Sequence, residues 1–129
     1  AINSATNGNK NVCPTGWHVP TDGEWTTLTD YLGGPSVAGG KMKEAGLVHW
    51  LSPNTGATNE FGFAGLPGGF LSFIGTFYYV GSYGYWWSST GNQYSPGDAW
   101  YRYLYYYNGI VGRNSRLKLN GFSVRCLRD

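Results

Sequence analysis

At 129 residues, with 12% charged and 18% aromatic side chains, the chain is long enough to bury a real core in one domain and is the reverse of a disordered composition. A formal net charge of +2 favours neither a nucleic-acid partner nor a polybasic membrane-surface protein. No run approaches the ~18 apolar residues that mark a membrane span, and 21 glycines without a collagen-like period predict many turns.

Residues 1–12 are polar and rich in Asn and Gly, the composition of a linker or a weak first strand; the domain proper is expected over 13–129. A start at Ala1, with no signal-like segment, reads as a mature or excised domain of a longer exported protein. Cys13 to Pro20 is a short extended piece between prolines. Thr21 and Glu24 fit a capping box, and Trp25, Leu28 and Leu32 form one apolar helical stripe that Gly33-Gly34-Pro35 stops. A second short helix is expected from Val37 to Ala45, weakened by Gly39-Gly40. His49-Trp50 and the polar run 52–59 read as irregular loop, and Phe70 to Val80 as strand and loop.

The stretch from Tyr83 to Thr90 organises the rest. Neighbours on a strand point to opposite faces, so Trp86 and Trp87 require an inner strand covered on both sides. Gly91 to Asp98 reads as a polar loop turning at Pro96-Gly97. Ala99 to Tyr107 reads as a strand ending in the hairpin signal Asn108-Gly109. Residues 110–119 show no clear period. A last strand over Phe122–Leu127 would put Phe122, Val124 and Cys126 on one face. The expected core tryptophans are Trp17, Trp25, Trp86, Trp87 and Trp100. Two early helices followed by many short strands make the class α+β, with helices segregated from antiparallel sheet.

Cys13 and Cys126 are the only cysteines, too few for a familiar zinc site. A disulfide tying the ends together would imply an oxidising, extracytoplasmic compartment; the alternative is two buried thiols.

Several motifs carry a resemblance. Asn11-Val12-Cys13-Pro14-Thr15-Gly16-Trp17-His18-Val19-Pro20-Thr21 with Glu24-Trp25, then Asn59-Glu60, Gly62-Phe63 and Leu66-Pro67-Gly68-Gly69, then Gly84 to Thr90 and Gly121 to Cys126, together resemble the Fibrobacter succinogenes major paralogous domain family over essentially the whole chain. The resemblance implies a C-type lectin-like fold with the terminal strands side by side. It also implies a place on secreted or cell-surface bacterial proteins or phage particles, as part of a larger multidomain protein, and no defined general activity. The acid-Pro-Asn and Trp-Asn-Asp calcium motifs of sugar-binding C-type lectins are absent, and Asp98 is the only acid between Glu60 and Asp129, so neither a metal nor a cofactor is expected. A catalytic cysteine pair like that of the similar formylglycine-generating enzymes is absent as well.

Ten of the eleven tyrosines lie between Tyr78 and Tyr107. Tyr, Ser, Gly and Asn are the residues of antibody paratopes. Residues 71–79 and 103–119 have that composition, which points to Phe73, Ile74, Tyr78, Tyr79, Tyr103, Tyr105, Tyr107, Ile110, Asn114, Ser115, Arg116, Leu117 and Leu119 as the ligand-binding face. The resemblance adds a source for such a face, diversification by a retroelement that randomises adenines. Gly112 and every position just named from Tyr105 to Leu119 are reachable from an AAC asparagine codon, whereas Lys118 is not. Six of the nine Lys and Arg fall in residues 99–129 against one acid, a patch suited to an anionic ligand such as an acidic glycan.

The expected function is therefore non-catalytic binding of a glycan or protein ligand on a cell surface, adhesin- or receptor-binding in kind, without nucleic acid or membrane insertion. Alternatives are a structural subunit or tip domain of a bacterial surface fibre or phage particle, and an enzyme related to the formylglycine-generating proteins. For an enzyme, His18 reads as a structural histidine, no Gly-x-Ser-x-Gly elbow is present, and Glu44 with Glu60 is a carboxylate pair that nothing singles out.

Overall fold

The computed structural model describes residues 12–129. In chain order these form β1 (Trp17–His18), α1 (Asp22–Tyr31), α2 (Pro35–Met42), β2 (Phe70–Leu71), β3 (Phe77–Tyr78), β4 (Tyr83–Asn92), β5 (Ser95–Tyr105), β6 (Gly112–Leu117) and β7 (Leu127–Arg128). The class is α+β, with three antiparallel sheets: β1-β7, β2-β3 and β4-β5-β6. The expected segment 1–12 lies, but for Val12, outside the described residues.

Helix α1 starts as its capping box dictates. The Thr21 hydroxyl accepts from the Glu24 amide at 3.1 Å, and the Glu24 carboxylate accepts from the Thr21 amide at 3.2 Å. Trp25 and Leu32 are buried as the stripe requires. Helix α2 departs from its expected span of Val37–Ala45. It begins at Pro35, where a missing N–H costs nothing, and ends at Met42 because Lys43 turns extended to bridge Gly65. Its double glycine has a tertiary cause. A Cβ on Gly39 would lie 2.3 Å from the Ile110 carbonyl oxygen, and one on Gly40 2.3 Å from that of Gly56. The helix packs directly on two loop backbones, and that contact outweighs a helix-interior glycine cost of about 1 kcal/mol each.

Trp86 and Trp87 divide the core as strand alternation demands. Trp86 packs with Trp25, Leu32, Met42, Trp50, Leu104 and Val111 under the helices. Trp87 packs with Phe70, Tyr85, Ala99 and Tyr101 on the other side. In the three-stranded sheet β5 is central, yet the outer edge of β4 is not bare. Gly69 and Ser123 bridge to it, with Ser123 exchanging hydrogen bonds with Tyr85 (3.0 Å) and Trp87 (3.1 Å).

The expected loop Gly91–Asp98 is instead strand. Asn92 pairs with Ser95 across the two-residue turn Gln93-Tyr94, with irregular register around Gly91. The Asn92 side chain makes the turn by accepting from the Tyr94 amide at 2.9 Å, and Pro96-Gly97 lies within β5. Strand β5 consequently starts earlier than Ala99, and it ends at Tyr105. Strand β6 arises in the stretch without period because an edge strand leaves most of its side chains in solvent. The expected last strand is interrupted: Ser123 bridges β4, and pairing resumes at β7. Phe122, Val124 and Cys126 are still half-buried between exposed neighbours, and Phe122 and Val124 pack against the Trp87 cluster.

Cys13 and Cys126 form a disulfide across 113 residues. Closing so long a loop stabilises by about 5 kcal/mol in the chain-entropy model. It sits beside the β1-β7 pair, in which Trp17 faces Arg128 and His18 faces Leu127. Two core expectations fail. Trp17 is 41% exposed, because β1 belongs to a two-stranded sheet at the surface, and Trp100 is half-buried under the Arg113 guanidinium, 3.7 Å from the ring centre. Trp50, from a stretch read as loop, is instead 1% exposed, its indole N–H donating to the Gly65 carbonyl at 2.9 Å.

Candidate functional site

The register of the three-stranded sheet assembles the tyrosines. Tyr83 pairs with Tyr105, Tyr85 with Tyr103 and Trp87 with Tyr101 across β4 and β5; Tyr103 pairs with Gly112, Tyr101 with Asn114 and Ala99 with Arg116 across β5 and β6. Period-two alternation sends all of these to one face. The rings tile it. Tyr83 stacks on Tyr105 at 4.5 Å and on Tyr85 at 5.5 Å, and Trp87 stacks on Phe122 at 4.2 Å. The β2-β3 hairpin closes one side through Phe70, which stacks on Tyr78 at 5.5 Å.

Two grooves result. One, of about 280 Å³, is lined by Tyr79, Tyr83, Tyr85, Tyr101, Tyr103, Asn114 and Arg116. The other, of about 420 Å³, lies between the hairpin and β6 and includes Phe70, Phe73, Ile74, Tyr78, Asp98, Ser115, Arg116 and Leu117. Arg116 belongs to both. Tyr79 enters with φ of +62°, a left-handed conformation that a bulky side chain rarely adopts. It is held there by Ser82, whose amide and hydroxyl both donate to the Tyr79 carbonyl.

Burial favours the neutral form of two of the groove phenols. Burial raises the pKa of Tyr85 most, with help from Tyr83 and Tyr101, while the Arg116 charge pulls it the other way. Burial raises Tyr101 too, against the same pull from Arg116. At neutral pH these hydroxyls donate and accept hydrogen bonds.

The residues expected for the face are thus partly gathered. Tyr79, Tyr103, Asn114 and Arg116 meet in the first groove, and Phe73, Ile74, Tyr78, Ser115, Arg116 and Leu117 in the second. Tyr105 lies on the same face, stacked on Tyr83 outside the grooves. Tyr107, Ile110 and Leu119 are exposed but line neither groove. Tyr83, Tyr85, Tyr101 and Phe70 were not expected. The alternation Tyr83-x-Tyr85 and Tyr101-x-Tyr103-x-Tyr105 was the available signal.

Over residues 3–128 the chain matches the model of the Fibrobacter succinogenes major domain. The chain belongs to that family. No curated protein and no solved structure matches it. The matched span of this major domain includes both grooves, the cysteine pair and the two helices.

Elsewhere several titratable groups of this major domain pair with one another. His18 bridges Glu24 (2.9 Å) and Asp129 (2.5 Å), and its hydrogen bonds to those carboxylates raise its pKa, as a structural clasp would. Glu44 pairs with His49 at 2.8 Å and Glu60 with Lys41 at 3.5 Å, so the two carboxylates have separate partners. Among the described residues no group of three or more His, Cys, Asp and Glu side chains is placed to hold a metal ion.

Proposed function

We propose that this major domain is a non-catalytic, lectin-like binding module that engages a glycan or protein on a cell surface through its tyrosine face. The observation that carries the reading is the convergence of five tyrosines from the segment after β3 and the sheet, with Asn114 and Arg116, on one open groove. Stacked, pre-ordered rings lose little entropy on binding and offer both apolar area and hydroxyls. A C-type lectin-like fold is supported by the paired terminal strands, the two early helices and the late three-stranded sheet. An extracellular setting is supported by the disulfide. No helix among the described residues is long and apolar enough to cross a membrane. Retroelement diversification fits Asn114, Arg116 and Leu117, which are exposed on β6, where substitution leaves the core untouched.

The test is a glycan and protein array, run with and without a calcium chelator, on the wild type and on Tyr79→Ala and Tyr103→Ala. Chelator-resistant binding that both variants lose supports the reading. Binding that neither variant changes, or no binding to any array, refutes it in favour of a structural role.

A further inference from the structure

Arg116 stands where the two grooves meet, and its guanidinium has no acceptor among the described residues. Four other cations are occupied. Arg102 and Arg113 share Asp22. Lys118 donates to the Pro96 carbonyl at 3.1 Å, and Arg125 to the Phe63 carbonyl at 2.6 Å. Arg116 makes no ion pair or hydrogen bond among the described residues; it lies 5.4 Å from the Phe70 ring centre. Asp98, the one acid lining either groove, is not paired with it.

The surroundings specify what would satisfy this group. A guanidinium is a planar fork of five donors that matches a carboxylate through two parallel hydrogen bonds. Opposite Arg116 in the ladder stands Ala99, which adds no bulk beyond one methyl. Tyr85 and Tyr101 line the first groove together with Arg116, and the Asn114 amide joins them there. A groove of hydroxyls and one amide, floored by aromatic rings, suits a polyhydroxylated ring compound better than a peptide side chain. Sugar C–H faces lie against aromatic faces, and sugar hydroxyls exchange hydrogen bonds with phenols.

We propose that the groove takes a carboxylated saccharide, a hexuronate residue of an acidic glycan, with the carboxylate received by Arg116 and the sugar ring against the tyrosines. This rests on the binding reading above. Tyr85, Tyr101 and Asn114 orient the ring, and Arg116 selects the acid.

The experiment is calorimetric titration of the whole chain with oligosaccharides of galacturonate, glucuronate, mannuronate and guluronate. Their methyl esters, neutral oligosaccharides and poly-glutamate run in parallel. At least one oligouronate is expected to bind. Its methyl ester, and Arg116→Gln with the free acid, should each be about ten- to a hundredfold weaker, the range for losing a charge-assisted hydrogen-bonded pair. Arg116→Lys should fall between, because it keeps charge and loses the fork. Silence on every uronate, equal binding of ester and acid, or undiminished binding by Arg116→Gln overturns the proposal, and so does equal binding of poly-glutamate, which would make the occupant an acidic peptide. If a neutral ligand binds, is lost in Tyr103→Ala and is kept in Arg116→Gln, the groove remains a binding site and only the uronate inference falls. If no probe responds to either variant, both fall.

Discussion

The ring of Tyr103 lies across the backbone of Gly112: a Cβ built on Gly112 would stand 2.0 Å from Cζ of that ring. The two residues are cross-strand partners in β5 and β6, and Tyr103 lines the first groove. The missing side chain on the edge strand therefore sets where a candidate ligand-contacting ring rests.

Gly112→Ala is expected to destabilise the domain by about 1–3 kcal/mol, the usual cost of overpacking. The glycine has no left-handed φ, so the ring is the source of the cost. Tyr103→Ser in the same chain should return much of the loss. Urea unfolding of the wild type, both single variants and the double variant measures this, and strict additivity would mean that the two residues do not conflict. Gly112 is reachable from an asparagine codon, but on this argument it belongs to the scaffold.

Lys43 is buried, with 0% of its surface exposed, and its ammonium donates to the carbonyls of Thr55 (2.8 Å), Tyr105 (2.9 Å) and Asn108 (2.9 Å). It ties the end of α2 to the loop after β5, and among the described residues it forms no ion pair. Burial lowers its pKa from 10.5 to about 8. Between those values the unfolded chain binds more protons than the folded one, so this group makes stability rise with pH across that window. Below about pH 8 both states are protonated and its contribution is flat. Tyr85, whose pKa is raised by burial, acts in the opposite sense above pH 10, where the unfolded phenol ionises first. Thermal unfolding from pH 7 to 10 should therefore show an upward component that Lys43→Met abolishes. Lys43→Met should also be less stable at pH 7 by about 1–3 kcal/mol, because buried carbonyls lose their donor. A wild-type curve with the same slope as the variant's would refute the assignment.

Asp22 holds two arginines at once. Its carboxylate is 2.6 Å from Arg102, whose side chain is 3% exposed, and 2.8 Å from the more exposed Arg113. Burial pushes the Asp22 pKa up, but hydrogen bonds from Arg113 and Arg102 outweigh it and hold the carboxyl below its ordinary 3.8. A depressed carboxylate pKa contributes stability that is present above about pH 4 and lost as the pH falls through the folded value. Asp22→Asn should cost about 3 kcal/mol at pH 7, as for a buried cation deprived of its partner. The difference from wild type should shrink when denaturant titrations are repeated near pH 2. An equal difference at both pH values would show that the loss is not electrostatic.

The local signals of the first helix and the central strand were read correctly. The Thr21–Glu24 capping box, the Trp25–Leu32 stripe and the opposite facing of Trp86 and Trp87 depend on backbone geometry within a few residues. The two cysteines left a choice between one bond and two buried thiols, and the structure forms the bond.

Most of the errors lie where a distant partner decides. Gly39 and Gly40, expected to weaken the second helix, are its contact with the backbones of Ile110 and Gly56. Trp50 is in the core because a segment without periodicity folds over Met42 and Leu104. Trp17 and Trp100 are aromatic but lie at the surface, one on a terminal two-stranded sheet and the other beneath Arg113.

By itself the sequence determined the start of α1, the facing of the central strand and the tyrosine-rich composition of the candidate face, because each follows from residue chemistry at short range. Only the tertiary structure decided which of those tyrosines share a groove. Cross-strand register places Tyr85 beside Tyr103 and Tyr101 beside Asn114, and the segment after β3 adds Tyr79, while Tyr107, Ile110 and Leu119 stand apart. Register is set by pairing and burial over the whole sheet, so a one-residue slip would send every one of these rings to the other face.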